Sequence, residues 1–158
     1  MSATLASFLD TIARESECVE LFAKLLDSEK ALLTAGNVEG LAPLIEEKEA
    51  LALRLEALAR QRDHYLADNG LSSDRNGMTA WLSAHPGQME TEAAWKRTLT
   101  AAARARETNR LNGQLIQMHQ QFTGQALDIL TRRDSPLNLY GPDGRTAPPG
   151  DRQINDTV

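Results

Sequence analysis

The sequence predicts an all-α fold: an antiparallel helical hairpin, a short helix and a long third helix, in a three-helix or coiled-coil-like bundle. Three observations carry this expectation. Leu (23) and Ala (22) dominate the 158 residues, whereas Val and Ile total 8 and Phe, Trp and Tyr total 7. Leu and Ala lose little side-chain entropy in a helix, and strands favour the β-branched and aromatic residues that are scarce here. Apolar residues also recur every seven positions, and the two long seamed segments are separated by a two-residue connection.

The first helix is expected over 4–35. Leu5, Ile12, Val19, Leu26 and Leu33 are each seven apart. Phe8 and Phe22 occupy the companion row, interrupted by Glu15 and Glu29. Gly36 supplies a C-terminal stop, because glycine takes positive φ without steric cost. Asn37 is then the expected N-cap of a second helix over 38–69. Pro43 falls in its first two turns, where a missing amide is tolerated. Leu41, Lys48, Leu55 and Arg62 make one row, and Leu44, Leu51, Leu58 and Tyr65 the other.

Facing positions in an antiparallel pair have a nearly constant sum of residue numbers. A sum of 77 sets Leu26 against Leu51, Phe22 against Leu55 and Val19 against Leu58. It also sets Glu29 against Lys48 and Glu15 against Arg62, so every charge in the seam meets its opposite. Either such pairs fix the register more than they add stability, or the long charged side chains snorkel out of the seam.

Turn residues crowd 70–88, with a short helix over 78–84 expected to bury Trp81 and Leu82. The third helix is expected over 89–133, about 65 Å long at 1.5 Å per residue. Asn112-Gly113 is its weak point, since Asn-Gly often marks a turn; a break there would give a four-helix bundle. Residues 1–36 and 37–69 each carry −3, whereas 89–134 carry +2. The acidic hairpin and the basic helix should attract. These elements compose one domain over 1–134. Residues 135–158 hold four of the six prolines and few apolar side chains, and are expected to be a disordered tail.

The net charge of −5 argues against coating nucleic acid. The basic run Lys96, Arg97, Arg104, Arg106 and Arg110 lacks interleaved aromatic residues, so it reads as a solvated or hairpin-facing surface. No run is long enough to span a membrane, and the N-terminus has no secretion signal. A cytoplasmic protein is the resulting expectation. His64, His85 and His119 lack metal-ligand spacing, and Cys18 reads as a small packed side chain beside the first seam. No motif suggests catalysis, a metal or a cofactor.

Residues 111–130 are the most informative segment. At 100° per residue, Leu111, Leu115, Met118, Phe122, Ala126 and Ile129 share one side. Ile116, Leu127 and Leu130 extend the arc to about 180°, wider than the roughly 100° needed to pack on one neighbour. The opposite face carries Gln114, Gln117, Gln120, Gln121, Gln125 and Asp128. One half of the arc is expected to pack on the hairpin; the other is either more bundle core or a docking surface for another chain. The Leu115–Met118–Phe122–Ile129 stripe is assigned to the core, leaving Ile116, Leu127 and Leu130 exposed.

A family resemblance rests on the following residues, in order. The first helix carries Leu25-Leu26-Asp27-Ser28-Glu29-Lys30-Ala31-Leu32-Leu33. The second carries Glu46-Glu47-Lys48, Leu55-Glu56-Ala57-Leu58 and Gln61-Arg62. Asn109-x-x-Asn112-Gly113-x-x-Ile116 lies on the third, and Tyr140-Gly141-Pro142-Asp143-Gly144 opens the tail. Over residues 5–145 the chain resembles the FlgN flagellar export chaperones. The resemblance favours an unbroken third helix. It implies a cytoplasmic, non-enzymatic chaperone of type III export that binds hook-associated junction proteins and delivers them to the export gate. It places cargo binding toward the C-terminus, at Leu115, Ile116, Met118, Phe122, Leu127 and Leu130, and gate docking at Tyr140. The protein is then expected to be a monomer when free of cargo. The alternative is a coiled-coil scaffold that self-associates through the same heptads.

Overall fold

The computed structural model describes residues 2–131. They form four helices: α1 (Ser2–Ala35), α2 (Leu41–Asp68), α3 (Arg75–Ala84) and α4 (Met89–Thr131), with no strand among the described residues. The all-α expectation holds, with the hairpin, the short helix and the long helix in the expected order. Two compact units divide at Asn109, so α4 contributes to both. The expected tail, Tyr140 included, lies outside the described residues.

Both hairpin helices end on glycine. Gly36 has φ 71°; its N–H donates to the Leu33 carbonyl (3.2 Å) and that of Asn37 to Leu32 (2.9 Å). Gly70 has φ 74° and repeats the motif, with Gly70 donating to Ala67 (3.0 Å) and Leu71 to Leu66 (2.9 Å). This paired arrangement satisfies carbonyls that a helix end would otherwise leave open. The second stop also brings Leu71 onto the core beside the fully buried Leu66.

One boundary differs from expectation. α2 begins at Leu41, not Val38, and Gly40 stands at its N-cap without a side-chain bond. Asn37 still acts as a cap, accepting the Gly40 N–H at 3.2 Å. It closes a single turn, in which the Leu41 N–H donates to the Val38 carbonyl, before the continuous helix starts. Pro43 is therefore the third helical residue, among the first four N–H positions that lack intrahelical acceptors.

The hairpin joins the charges that the seam arithmetic paired. Lys48 Nζ lies 3.2 Å from Glu29 Oε2, and Arg62 Nη1 bonds the Glu15 carboxylate. Shorter side chains meet in a tighter register. Phe8 stacks on Tyr65 with centroids 4.0 Å apart, and Thr11 Oγ1 donates to Gln61 Oε1 at 3.3 Å. Those pairs sum to 73 and 72, not 77. The difference has a geometric origin. Helical side chains lean toward the N-terminus of their own helix. In an antiparallel pair the two tips lean opposite ways, so long partners meet at a larger sum than short ones.

Within the first unit α4 runs parallel to α1. Glu20 pairs with Arg97 (3.5 Å) and Asp27 with Arg104, each pair 77 apart in number. Thr108 Oγ1 also donates to Asp27 Oδ1 at 3.5 Å. Arg97 and Arg104 of the basic run thus face acidic α1, in the sense the segment charges suggested, although pairs this exposed contribute only about 0–1 kcal/mol each. The α4 seam is made of small residues: Thr91, Ala94, Thr98, Ala101, Ala105 and Thr108 are all buried at alternating three- and four-residue spacing. Large α1 residues fill the space opposite. Leu26 and Ala23 pack with Ala105, and the buried Thr98 hydroxyl is satisfied by the Ala94 carbonyl (3.0 Å).

The main core lies where α3 joins the open end of the hairpin to the start of α4. It comprises Phe8, Ile12, Leu66, Met78, Trp81, Ala94 and Trp95. Trp81 is buried as expected; Leu82 is half-buried and packs at its edge. The helix starts three residues before the expected Met78. Asp74 caps it by accepting from the Gly77 N–H (2.9 Å) and the Ser72 hydroxyl (2.6 Å), bonds that hold its carboxyl below the usual range. A Cβ on Gly77 would stand 1.7 Å from the Ser72 carbonyl oxygen, so the cap admits only glycine there.

Arg62 links three helices. Besides Glu15 it reaches Asp63 (3.1 Å) on α2, and its guanidinium lies 5.1 Å from the Trp95 ring centroid on α4. Glu15 is buried, and burial pushes its carboxyl pKa up against the opposing pull of Arg62. Folded Glu15 therefore holds its proton more tightly than unfolded Glu15, so its contribution to stability falls as pH rises from the ordinary carboxylate range through the raised pKa. Glu15→Gln removes that slope. The stability advantage of the wild type over the variant should be greatest at about pH 4 and shrink toward about pH 7, read by urea unfolding. Asp74 titrates oppositely but equally in both proteins, and cancels.

The Glu29–Lys48 pair is tested by reversal. Glu29→Lys or Lys48→Glu alone should destabilise by about 1 kcal/mol or more, since Glu29 is buried, and the double reversal should recover part of that loss. Additive losses in thermal unfolding would contradict the pairing.

Candidate functional site

The second unit is described by its helical part, residues 110–131 of α4. The helix is continuous across Asn112-Gly113, so the break that would have made a fourth bundle helix is absent. Asn112 is 1 % exposed within the unbroken helix, while a Cβ on Gly113 would touch nothing within 4 Å. Asn109-x-x-Asn112-Gly113 is thus helical sequence, not turn sequence.

Beyond Asn112 the seam changes character. The heptad row that holds Ala94, Ala101 and Thr108 continues as Leu115, Phe122 and Ile129. The small members of the row are buried, whereas Phe122 is 74 % and Ile129 69 % exposed. Met118 at 63 %, Leu130 at 74 % and Ile116 at 43 % add to the exposed set, and Leu115 and Leu127 are half-buried. Side chains thus become larger and more apolar where they are uncovered, the reverse of a folded core.

This corrects the assignment of the Leu115–Met118–Phe122–Ile129 stripe to the core. Met118, Phe122 and Ile129 stand in solvent together with Ile116 and Leu130. The wide arc is therefore an exposed apolar surface on both sides, broader than the half expected to dock another chain. Ile129, expected inside, belongs to it. Exposed apolar patches of this kind mark interaction sites in soluble proteins. Thr123 and Thr131 on this segment bond the carbonyls four residues back, His119 at 2.9 Å and Leu127 at 2.8 Å.

The remaining reactive side chains occupy ordinary positions. His64 forms an exposed pair with Asp68 (3.3 Å). His85 stacks on Trp81, its Nδ1 2.7 Å from the Trp81 carbonyl. His119 is exposed. Cys18 is buried, with Sγ 3.8 Å from the Leu51 carbonyl, and burial pushes its thiol pKa up, which disfavours the nucleophilic thiolate. Among the described residues no group of three His, Cys, Asp or Glu could hold a metal ion, and no helix is long and apolar enough to cross a membrane.

The fold and this surface define a class: a small helical protein whose long last helix carries an uncovered apolar face. Comparison with known sequences gives the family. The FlgN protein family model matches residues 1–148, and the chain belongs to the FlgN family. It is 32 % identical over 136 residues to the flagella synthesis protein FlgN of Yersinia enterocolitica, covering 84 % of each chain. It is 29 % identical over 125 residues to that of Salmonella typhimurium, covering 78 % of each. No solved structure matches the chain.

Gly113→Ala tests the helical reading of the Asn-Gly pair. With open space at the Cβ, the variant should gain about 0.5–1 kcal/mol of helix stability, seen as higher ellipticity at high temperature. A turn at this position would instead lose stability on substitution.

Proposed function

We propose that this protein is a cytoplasmic chaperone of flagellar type III export. It binds an amphipathic terminal segment of a hook-associated junction protein on the distal face of α4 and delivers it to the export gate. The inversion of size and exposure along the α4 seam is the observation that carries this reading. An unassembled junction protein has segments that become helical only on a partner, and an apolar helix face can cover one. Leu115, Ile116, Met118, Phe122, Leu127 and Leu130 form the cargo surface, with Ile129 added from its exposure. Tyr140 docks the loaded chaperone to the gate. Membership of a family whose relatives carry the name flagella synthesis protein supports the flagellar setting. The chemistry is non-covalent throughout, and the cargo-free chain is a monomer.

The test separates binding from folding. Phe122→Ser and Leu130→Ser remove exposed side chains, so the thermal midpoint should move by no more than about 2 °C. Binding to terminal fragments of junction proteins should fall by about tenfold or more per site, as for a contact that carries binding energy. Tyr140→Ala should leave fragment binding intact and lower export in a motile host. Unchanged binding in both serine variants would move the cargo site elsewhere.

A further inference from the structure

The longest run of the chain without Asp, Glu, Lys or Arg is 111–127, and it underlies the exposed apolar face of α4. One titratable side chain falls inside it. At 100° per residue His119 stands midway between the two halves of the apolar arc, with Leu115 and Ile116 one turn before it and Phe122 one turn after. The side chain is exposed, as are those of Ile116 and Phe122. The Thr123 hydroxyl beside it donates to the His119 carbonyl at 2.9 Å and brings no ionisable group to the face.

Other charges are remote from this position. The described part of the second unit has one element, α4, and besides His119 its only ionisable side chains are Arg110 and Asp128. Each is nine residues from His119. That is two and a half turns and about 13.5 Å of axial rise. Both therefore stand on the opposite side of the helix, farther away than the screening length of about 8–10 Å at ordinary ionic strength. The flanks of the arc carry glutamines, which form hydrogen bonds but no ion pairs. Histidine is the side chain whose charge ordinarily changes between about pH 5 and 8. Water accommodates the charged imidazole; an apolar cover without a counter-charge does not.

On the reading of this face as the cargo surface, we propose that the docked cargo helix covers His119, so that a single proton on the imidazole opposes binding and drives release. The occupant is an amphipathic helix with no acidic side chain in the strip over His119, because a carboxylate there would be desolvated against neutral glutamines and apolar groups. The sign follows from linkage. The cargo-free chain takes up the proton more readily than the complex, so affinity is full where the imidazole is neutral and falls as pH drops. One proton limits the slope to about tenfold per pH unit. With no ion pair on the face to screen, affinity is nearly independent of salt.

A terminal fragment of a junction protein is titrated into the full chain by calorimetry. Affinity should fall by about tenfold from pH 7.5 to pH 5.5. In His119→Gln, neutral at both pH values, the ratio of the two affinities should be near one. Comparing the two proteins cancels every other titrating group, those of the fragment included. His119→Lys, charged throughout, should bind about tenfold more weakly than the wild type at pH 7.5. Wild-type affinity at that pH should change by less than about threefold between 0.05 and 0.5 M NaCl. Three results would overturn the proposal and leave the cargo surface in place: the same loss on acidification in His119→Gln, a His119→Lys variant as tight as the wild type, or tighter binding at pH 5.5, which would put a carboxylate of the partner opposite His119. Fragment binding that survives both Phe122→Ser and Leu130→Ser would overturn the cargo reading itself, and this inference with it.

Discussion

A buried carboxylate in contact with Arg62 is the constraint on which the bundle depends. Glu15 sits in the α1 seam, where a leucine would pack at no electrostatic cost, and its burial is unfavourable enough to raise its pKa. Only a cation delivered from α2 offsets that, and Arg62 can deliver it in one register of the hairpin. The same guanidinium lies over Trp95, so the register of α1 and α2 also sets where α4 begins. Replacing Arg62 leaves Glu15 buried without its cation, a heavier penalty than the net worth of the intact pair. Leucine seams alone would tolerate sliding by a turn; a buried ion pair does not.

The two sides of α1 are built on different principles. Toward α2 it meets leucines, tyrosine and long cations. Toward α4 it meets alanine and threonine, which take little room and leave α1 to supply the bulk. The flanking pairs of Glu20 with Arg97 and Asp27 with Arg104 then act as guides along the seam. Such a seam gives α4 a definite place without large side chains. Trp95 enters the main core near the start of α4, and Ile116, Met118, Phe122, Ile129 and Leu130 stand exposed in its distal part.

Much of this was legible in the sequence. The heptads of the first two helices, the glycine stop at Gly36 and the pairing of Glu29 with Lys48 and Glu15 with Arg62 all follow from spacing and charge. The small seam of α4 was not, because Thr and Ala carry little hydrophobic signal; a heptad of Thr91, Ala94, Thr98, Ala101, Ala105 and Thr108 is visible only when small size itself is treated as a pattern. That gap explains the misplaced stripe. With the true seam unread, the strongest apolar row, Leu115–Met118–Phe122–Ile129, was the natural core candidate, and only its exposure shows otherwise. The start of α2 slipped by three residues because Asn37 caps a turn with the same hydrogen bond that caps a helix.

The unbroken helix through Asn112-Gly113 bears on the chemical lifetime of the protein. In an open chain this dipeptide ages readily: the glycine nitrogen attacks the asparagine side-chain carbonyl, ammonia leaves, and the succinimide opens to aspartate or isoaspartate. Isoaspartate inserts an extra methylene into the main chain, which a helix cannot accommodate. Here the backbone is held in helical geometry and the Asn112 side chain is almost wholly enclosed, so the cyclisation geometry is out of reach. The fold thereby shields this Asn-Gly bond at the point where α4 passes from its buried seam to its exposed face.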